Sequence, residues 1–265
     1  KNGIDAAAYD LAGKQLGVSV STLLGGARLK EIPMIAAIGI VPPEQAAETA
    51  SEFVAKGYKY LKLKFGLDWR KDVQRAVAVR EAVGPDITLK GDANAVYSRD
   101  DALKALRGLR DVGLQHFEQP LSQHDIVGHA ALAQRTSIPL CADESLQTLQ
   151  DAFNILREDA ASAMVLKLIK NGGMYRCAEI VSLCRAVGVP CFMSSGTDMS
   201  LGVAALMHSY AAIPGIEGAL ETAEEMSDDV ASNPVKWGPV MKVPEGPGLG
   251  IDVDEKQIAK YRVKV

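Results

Sequence analysis

The chain has 265 residues, 48% of them hydrophobic and 23% charged, with 29 Lys+Arg against 33 Asp+Glu and a formal net charge of -4. That composition supports a sizeable core and excludes bulk disorder, while a mildly acidic balance without a long basic run excludes an electrostatic nucleic-acid binder. No apolar run approaches the roughly 20 residues needed to span a bilayer, so no membrane partner is expected.

The opening Lys1-Asn-Gly-Ile-Asp-Ala-Ala-Ala-Tyr-Asp is neither a signal nor a transit peptide. The Ala-rich pattern from Ile4 to Gly17 predicts a helix, and residues 1–30 read as a lead-in from a larger structure. From residue 31 to 243 the chain keeps a regular beat. Short β-rich runs at 32–38, 60–65, 87–90, 115–117, 139–142, 163–168, 190–193 and 215–220 give eight expected strands. Seven amphipathic stretches separate them. Pro42 and Pro43 open one that ends near Gly57, Ser98 precedes one that closes at Gly113, and Asn171-Gly172-Gly173 leads into one that stops at Gly188. The helix before Gly17 is expected where an eighth barrel helix would lie. Residues 244–265 form a turn-rich exit, Pro244-Glu-Gly-Pro-Gly-Leu-Gly250, and a short polar tail.

Strands alternating with helices of ten or more residues mean βαβ units and a parallel α/β sheet. Eight strands favour a closed TIM-like barrel with functional residues at the C-terminal strand ends. An open doubly wound sheet loses its usual ligand, because no GxGxxG or GxxxxGK[ST] follows the first strand. Cys141, Cys177, Cys184 and Cys191 form no CxxC pair and read as core thiols of a reducing, cytoplasmic compartment. His116, His124 and His129 have no metal-ligand spacing and read as structural or exposed; His208 reads as packed within a helix.

The strand charges carry the chemistry. In Tyr60-Leu-Lys62-Leu-Lys64-Phe65 the apolar side chains share one face and the two lysines the other, which points both ammonium groups into the barrel. Taken alone, that pattern also fits a solvated edge strand. Asp92 and Asn94, then Glu118, then Asp143 and Glu144 close the following strands, and Lys167 lies in the apolar run after them. Steps of 28, 26, 25 and 24 residues separate Lys64, Asp92, Glu118, Asp143 and Lys167. Each is about one βα unit, so each strand delivers one charge at the same level. Three converging carboxylates require a cation among them, and hard oxygens suit Mg²⁺, with Mn²⁺ able to substitute. Lys62 and Lys64 are expected to lower each other's pKa, moving an amine toward duty as a base. With Lys167 facing Lys64 across the mouth, the arrangement suits abstraction of a proton from carbon beside a carboxylate, the metal stabilising the enolate.

The ordered set Lys62-Leu-Lys64, Asp92-Ala-Asn94, Glu118-Gln-Pro, Asp143-Glu-Ser and Lys167-Leu-Ile-Lys-Asn-Gly-Gly173, with Gly246-Pro-Gly-Leu-Gly250, resembles the mandelate racemase/muconate lactonizing branch of the enolase superfamily, most closely its muconate lactonizing subgroup. The resemblance implies a (β/α)₇β barrel, the superfamily's C-terminal domain, with Mg²⁺ on Asp92, Glu118 and Asp143. It implies Lys64 as base, Lys62 as its partner, and Lys167 as the acid, base or cation on the opposite face. Asn94 and Glu144 would orient ligands or lysines; Asp198 stands for the acidic residue after strand seven, and Glu221 for the glutamate ending strand eight. Full-length relatives carry an N-terminal capping domain that closes over substrate, and residues 1–30 would be the lead-in from it.

Two departures narrow the chemistry. Phe192-Met-Ser-Ser-Gly-Thr offers serines where the mandelate-racemase subgroup uses a His–Asp pair. Leu220-Glu221-Thr222 replaces the Asp-x-Asp common in dipeptide epimerases. The expected activity is muconate-type cycloisomerisation of a small carboxylate, ahead of a racemase or epimerase of an N-substituted amino acid or proline derivative, and of a hydroxy-acid dehydratase. A non-catalytic metal-binding barrel or fragment is the alternative from another class. A homo-oligomer assembled through outer helices is expected.

Overall fold

The computed structural model describes residues 1–222 and 226–263. Helices α1 (Asn2–Leu16) and α2 (Val20–Leu23) lead into a short strand, β1 (Glu31–Pro33). The alternation then runs β2 (Ile35–Ile38), α3 (Pro43–Ala55), β3 (Tyr60–Lys64), α4 (Trp69–Val83), β4 (Thr88–Asp92) and α5 (Arg99–Gly108). It continues through β5 (Leu114–Glu118), α6 (Ile126–Ala133), β6 (Leu140–Ala142), α7 (Leu149–Arg157) and β7 (Ala163–Leu166). After β7 come a one-turn helix α8 (Leu168–Asn171), then α9 (Met174–Ala186), β8 (Cys191–Met193) and α10 (Ser200–Ala212). The short strand β9 (Val240–Lys242) and α11 (Glu255–Tyr261) follow.

Strands β2 to β8 form one curled parallel sheet in chain order. Its outward face packs on the helices. Leu61, Leu63 and Phe65 join Ala46 and Ala50 of α3 and Ala76 and Val79 of α4 in one buried cluster. A second cluster joins Leu166 and Met193 to Ile180 of α9 and Val203 of α10. Each fully buried aliphatic side chain contributes on the order of 1.5–3 kcal/mol. Gly91 is required by this packing: a Cβ there would stand 2.7 Å from Phe117 and 2.9 Å from Phe65. The four cysteines are all free and buried, as expected of core thiols.

Three local expectations are corrected. The run 32–38 is broken at Met34, since Pro33 has no N–H to donate; β1 pairs antiparallel with β9 in a separate two-stranded sheet, and only β2 enters the barrel. The expected eighth strand, 215–220, makes isolated bridges instead of a ladder, because Gly215 (φ 110°) and Gly218 (φ 74°) break its extended run. It still joins the two edges of the sheet. Glu217 N and Glu221 N donate to Cys191 O and Met193 O, Leu220 N donates to Pro33 O, and Ile35 N donates to Leu220 O. Finally, α1 does not take the place of an eighth helix. It packs on α8 and α9, and its Asp5 carboxylate accepts from Met174 N at 2.6 Å, capping α9, which lacks a side-chain cap of its own.

The 247–251 turn docks beneath α1 and α2. Gly248 N donates to Val18 O, Val20 N to Gly248 O, and Leu249 N to Asp10 Oδ1. His208 of α10 ties the turn to the core: Nδ1 accepts from Ser21 N at 3.3 Å and Nε2 lies 3.1 Å from Leu249 O. Those contacts demand a neutral ring with its proton on Nε2, and burial pulls the His208 pKa below its ordinary 6.5. Among the described residues no helix is long and apolar enough to cross a membrane.

A folded-state pKa below the unfolded one means that the unfolded chain binds more protons, so stability rises with pH in that window. The His208 contribution is complete above about 6.5 and is lost below it. His208→Gln should therefore be less stable than wild type at pH 8, and the gap should narrow at pH 5 in denaturant unfolding. A gap that does not change with pH would contradict this account.

Candidate active site

Lys64, Asp92 and Glu118 are the last residues of β3, β4 and β5, and they are register partners across the sheet. Asp143 immediately follows β6. Lys167, expected within a strand, instead follows β7 as the residue that opens α8. All five stand at the C-terminal strand ends, where a parallel barrel presents its loops. Because β3 and β7 are four positions apart, Lys64 and Lys167 lie on opposite sides of the mouth, with the carboxylates between them.

Asp92, Glu118 and Asp143 are buried, and ammonium groups neutralise them. Lys62, 1% exposed, lies 3.0 Å from Asp92 Oδ2, 2.9 Å from Glu118 Oε1 and 2.7 Å from Glu221 Oε2. Lys64 donates to Asp92 Oδ2 at 2.6 Å and to Asn94 Oδ1 at 3.1 Å. Lys167 donates to Asp143 Oδ2 at 2.5 Å, and Lys170 to Asp143 Oδ1 at 2.6 Å. Burial works against the Lys62 ammonium, but Glu118, Glu221 and Asp92 together outweigh it and hold its pKa well above the usual lysine value. This overturns the expectation of a lowered Lys62 pKa, for the carboxylates around that ammonium dominate. Burial likewise opposes the Asp92 carboxylate, yet Lys62 and Lys64 pull its pKa well down. Glu118 goes the other way, raised by burial and by the crowd of carboxylates despite Lys62.

Neighbouring groups hold these side chains in place. Gln119 (φ 37°) is buried, and its Oε1 accepts from Asp143 N at 2.9 Å and Ser145 N at 3.1 Å, fixing the loop that carries Asp143. Asn94 (φ 44°) and Ala95 (φ 64°) put backbone strain beside Asp92, whose Oδ1 accepts from Asn94 N. Asn94 Nδ2 also donates to Glu144 Oε1 at 3.2 Å, and burial raises the Glu144 pKa. Arg75, buried in α4 with Asp72, donates to the Lys64 carbonyl at 2.6 Å.

One level deeper are Lys90 and His116, each two residues before a carboxylate on the same strand face. Lys90 Nζ lies 4.1 Å over the Phe192 ring, and burial pulls its pKa to about 8. His116 is buried, and among the described residues neither ring nitrogen has a hydrogen-bond partner. Burial, then the charges of Lys90 and Lys62, keep it neutral.

Glu221 joins the cluster through Lys62. With Lys64, Ser195 and Thr222 it also lines a cavity of about 420 Å³ walled by Ile35 and Trp237. Asp198 is not brought to the cluster: it lines a separate small hollow with Met226, Asp229 and Trp237. Of the histidines, His124 is exposed, whereas His129 is buried and its Nε2 accepts from Leu121 N.

Among the described residues no three His, Cys, Asp or Glu side chains stand together as a ready metal cradle, because ammonium groups lie between the carboxylates. The donor set nevertheless fits a hard cation: three buried carboxylates without a soft ligand, already gathered around positive charge. Residues 45–257 match the family described as "Enolase C-terminal domain-like". The chain belongs to that family.

Within the enolase superfamily this barrel sits in the mandelate racemase/muconate lactonizing group. It is 32% identical to the N-succinyl-L-Arg/Lys racemase of Bacillus cereus over 272 residues, covering 99% of this chain and 72% of the relative. The crystal structure of the racemase superposes with a TM-score of 0.94 at 31% identity, over the same shares of the two chains. Muconate cycloisomerase 1 of Rhodococcus opacus is 34% identical, covering 96% of this chain and 69% of the relative. A dipeptide epimerase from Enterococcus faecalis, solved with Mg and L-Leu-L-Tyr, has a TM-score of 0.87 at 30% identity, covering 95% of this chain and 72% of that one. These relatives are isomerases, and this enolase-like barrel is one of that class.

Sequence reasoning missed Lys170, Lys90, Gln119 and Arg75. Lys170 lies in the Lys167-Leu-Ile-Lys170 run, and its spacing from Lys167 is the available signal. Replacing Lys62 by Met removes the cation shared by buried Asp92 and Glu118 and by half-buried Glu221, and should cost about 3–5 kcal/mol. Lys64→Met, at a side chain 33% exposed, should cost within about 1 kcal/mol. Denaturant unfolding of the two variants checks this ordering; equal losses would contradict it.

Proposed function

We propose that this barrel is a Mg²⁺-dependent isomerase that removes and returns the proton on the carbon beside a carboxylate, and that its substrate is an N-substituted amino acid. The observation that supports this reading is the pair of reachable amines. Lys64 and Lys167 keep 33% and 22% of their side chains exposed on opposite sides of the carboxylates, while Lys62 and Lys170 are buried at 1% and 10%. A reaction that reverses configuration needs a base on each face, each becoming the acid for the other direction.

In this reading Asp92, Glu118 and Asp143 hold the metal. Bound Mg²⁺ supplies fixed positive charge that stabilises the enolate oxygens of the substrate. Lys64 takes or returns the proton on one face, steadied by Asn94, which is itself held by Glu144. Lys167 does the same on the other face. Lys62 stays protonated and keeps Asp92, Glu118 and Glu221 together. Ile35 and Trp237 give the cavity beside Lys64 apolar walls, suited to the body of an acyl amino acid. The similarity to an N-succinyl-L-Arg/Lys racemase makes N-succinyl arginine and lysine the first compounds to try.

Muconate-type cycloisomerisation is the second reading, favoured by the 34% identity to muconate cycloisomerase 1 and by Glu221 at the pocket wall. It needs proton transfer on one face only. Incubation of each enantiomer of N-succinyl lysine in D₂O with Mg²⁺, followed by proton NMR, separates the two. Lys64→Ala should lose exchange from one enantiomer and Lys167→Ala from the other, each by roughly 10²–10⁴-fold. If Lys167→Ala exchanges both enantiomers at the wild-type rate, two-base chemistry is wrong and the one-face reaction takes its place.

A further inference from the structure

The barrel interior below the carboxylates is walled by Cys141, Ala163, Val165 and Phe192, an apolar cluster. Into it β5 delivers an imidazole. His116 is 1% exposed and its ring lies against Phe192, centroids 4.7 Å apart. Among the described residues neither nitrogen has a hydrogen-bond partner, which costs about 1–3 kcal/mol for each buried polar group left unpaired. A core position asking only for volume would be filled more cheaply by Phe or Leu. Nε2 lies 4.0 Å from Glu118 Oε2, while the other oxygen of that carboxylate is held by Lys62 at 2.9 Å. Closing the gap to hydrogen-bond range takes a shift of about 1 Å.

We propose that His116 is a positioning residue for Glu118: with its proton on Nε2 it directs a donor at Oε2 and fixes the plane in which that carboxylate meets a cation. The strand period enforces the pairing, since residues two apart share a face and His116 lies directly below Glu118. Lys62 alone would leave the carboxylate free to turn about its bond to Oε1. A donor at the second oxygen removes that freedom, as partners behind a metal ligand do. Lys90 Nζ stands 4.1 Å over the same Phe192 ring, on the layer that holds the imidazole. This inference rests on Glu118 serving as a metal ligand.

The test uses the full chain and Mg²⁺ alone, by calorimetric titration, with circular dichroism and unfolding midpoints on every variant. His116→Phe keeps an aromatic ring but no donor and should weaken Mg²⁺ binding by roughly 10-fold or more. His116→Gln places an amide nitrogen near Nε2 and should bind within about threefold of wild type, while His116→Asn, whose amide reaches only the Nδ1 position, should behave like Phe. Should the Phe variant fail to fold, the Gln and Asn pair decides. Gln and Asn binding equally, or Phe binding as wild type does, overturns the positioning role. Wild-type protein that takes up no Mg²⁺ overturns the metal reading instead, and this inference with it.

Discussion

One buried ammonium governs the site. Lys62 stands within 3.0 Å of Asp92, Glu118 and Glu221 in the middle of a parallel barrel, where an uncompensated carboxylate would be very costly. Its charge lets three acidic strand ends converge. Lys64, Lys167 and Lys170 complete the balance, and they divide into two kinds. Lys62 and Lys170 are enclosed and tied to several acceptors, whereas Lys64 and Lys167 reach the mouth. The enclosed pair maintains the cluster, and the reachable pair is available to a substrate.

The fold supplies this by repetition. Each βα unit returns the chain to the same rim, so one charged residue per strand arrives at one level. Small devices then set the details: Gln119 grips the Asp143 loop through two backbone N–H groups, Arg75 holds the Lys64 carbonyl from behind, and positive φ angles at Asn94 and Gln119 shape the turns beside the carboxylates. The docking of α1 and the 247–251 turn lies elsewhere on the molecule and bears on stability through His208.

Much of this was legible in the sequence because charge on an apolar strand is conspicuous. Lys62, Asp92, Glu118 and Asp143 could be placed by strand period and by their even spacing. Features that depend on who meets whom across the fold were not legible. The sign of the Lys62 shift depended on Glu221, 159 residues away, and on two neighbouring strands. Gly215 and Gly218 lie in a run that reads as a strand, and only their backbone angles break it. Asp198 had a plausible position along the chain, but its loop turns it into a separate hollow. Arg75 and Asp72 sit in a helix whose Arg70, Lys71 and Glu81 are exposed, so nothing in the sequence marked them as buried.

The proposed chemistry requires the carboxylate trio to be a cation site bracketed by two amines. Anomalous diffraction from crystals grown with Mn²⁺ tests this most directly. A single strong peak bounded by Asp92, Glu118 and Asp143, with Lys64 and Lys167 on opposite sides of it, is the predicted result. An ion bound elsewhere, or full occupancy by ammonium groups with no peak at saturating Mn²⁺, would contradict it.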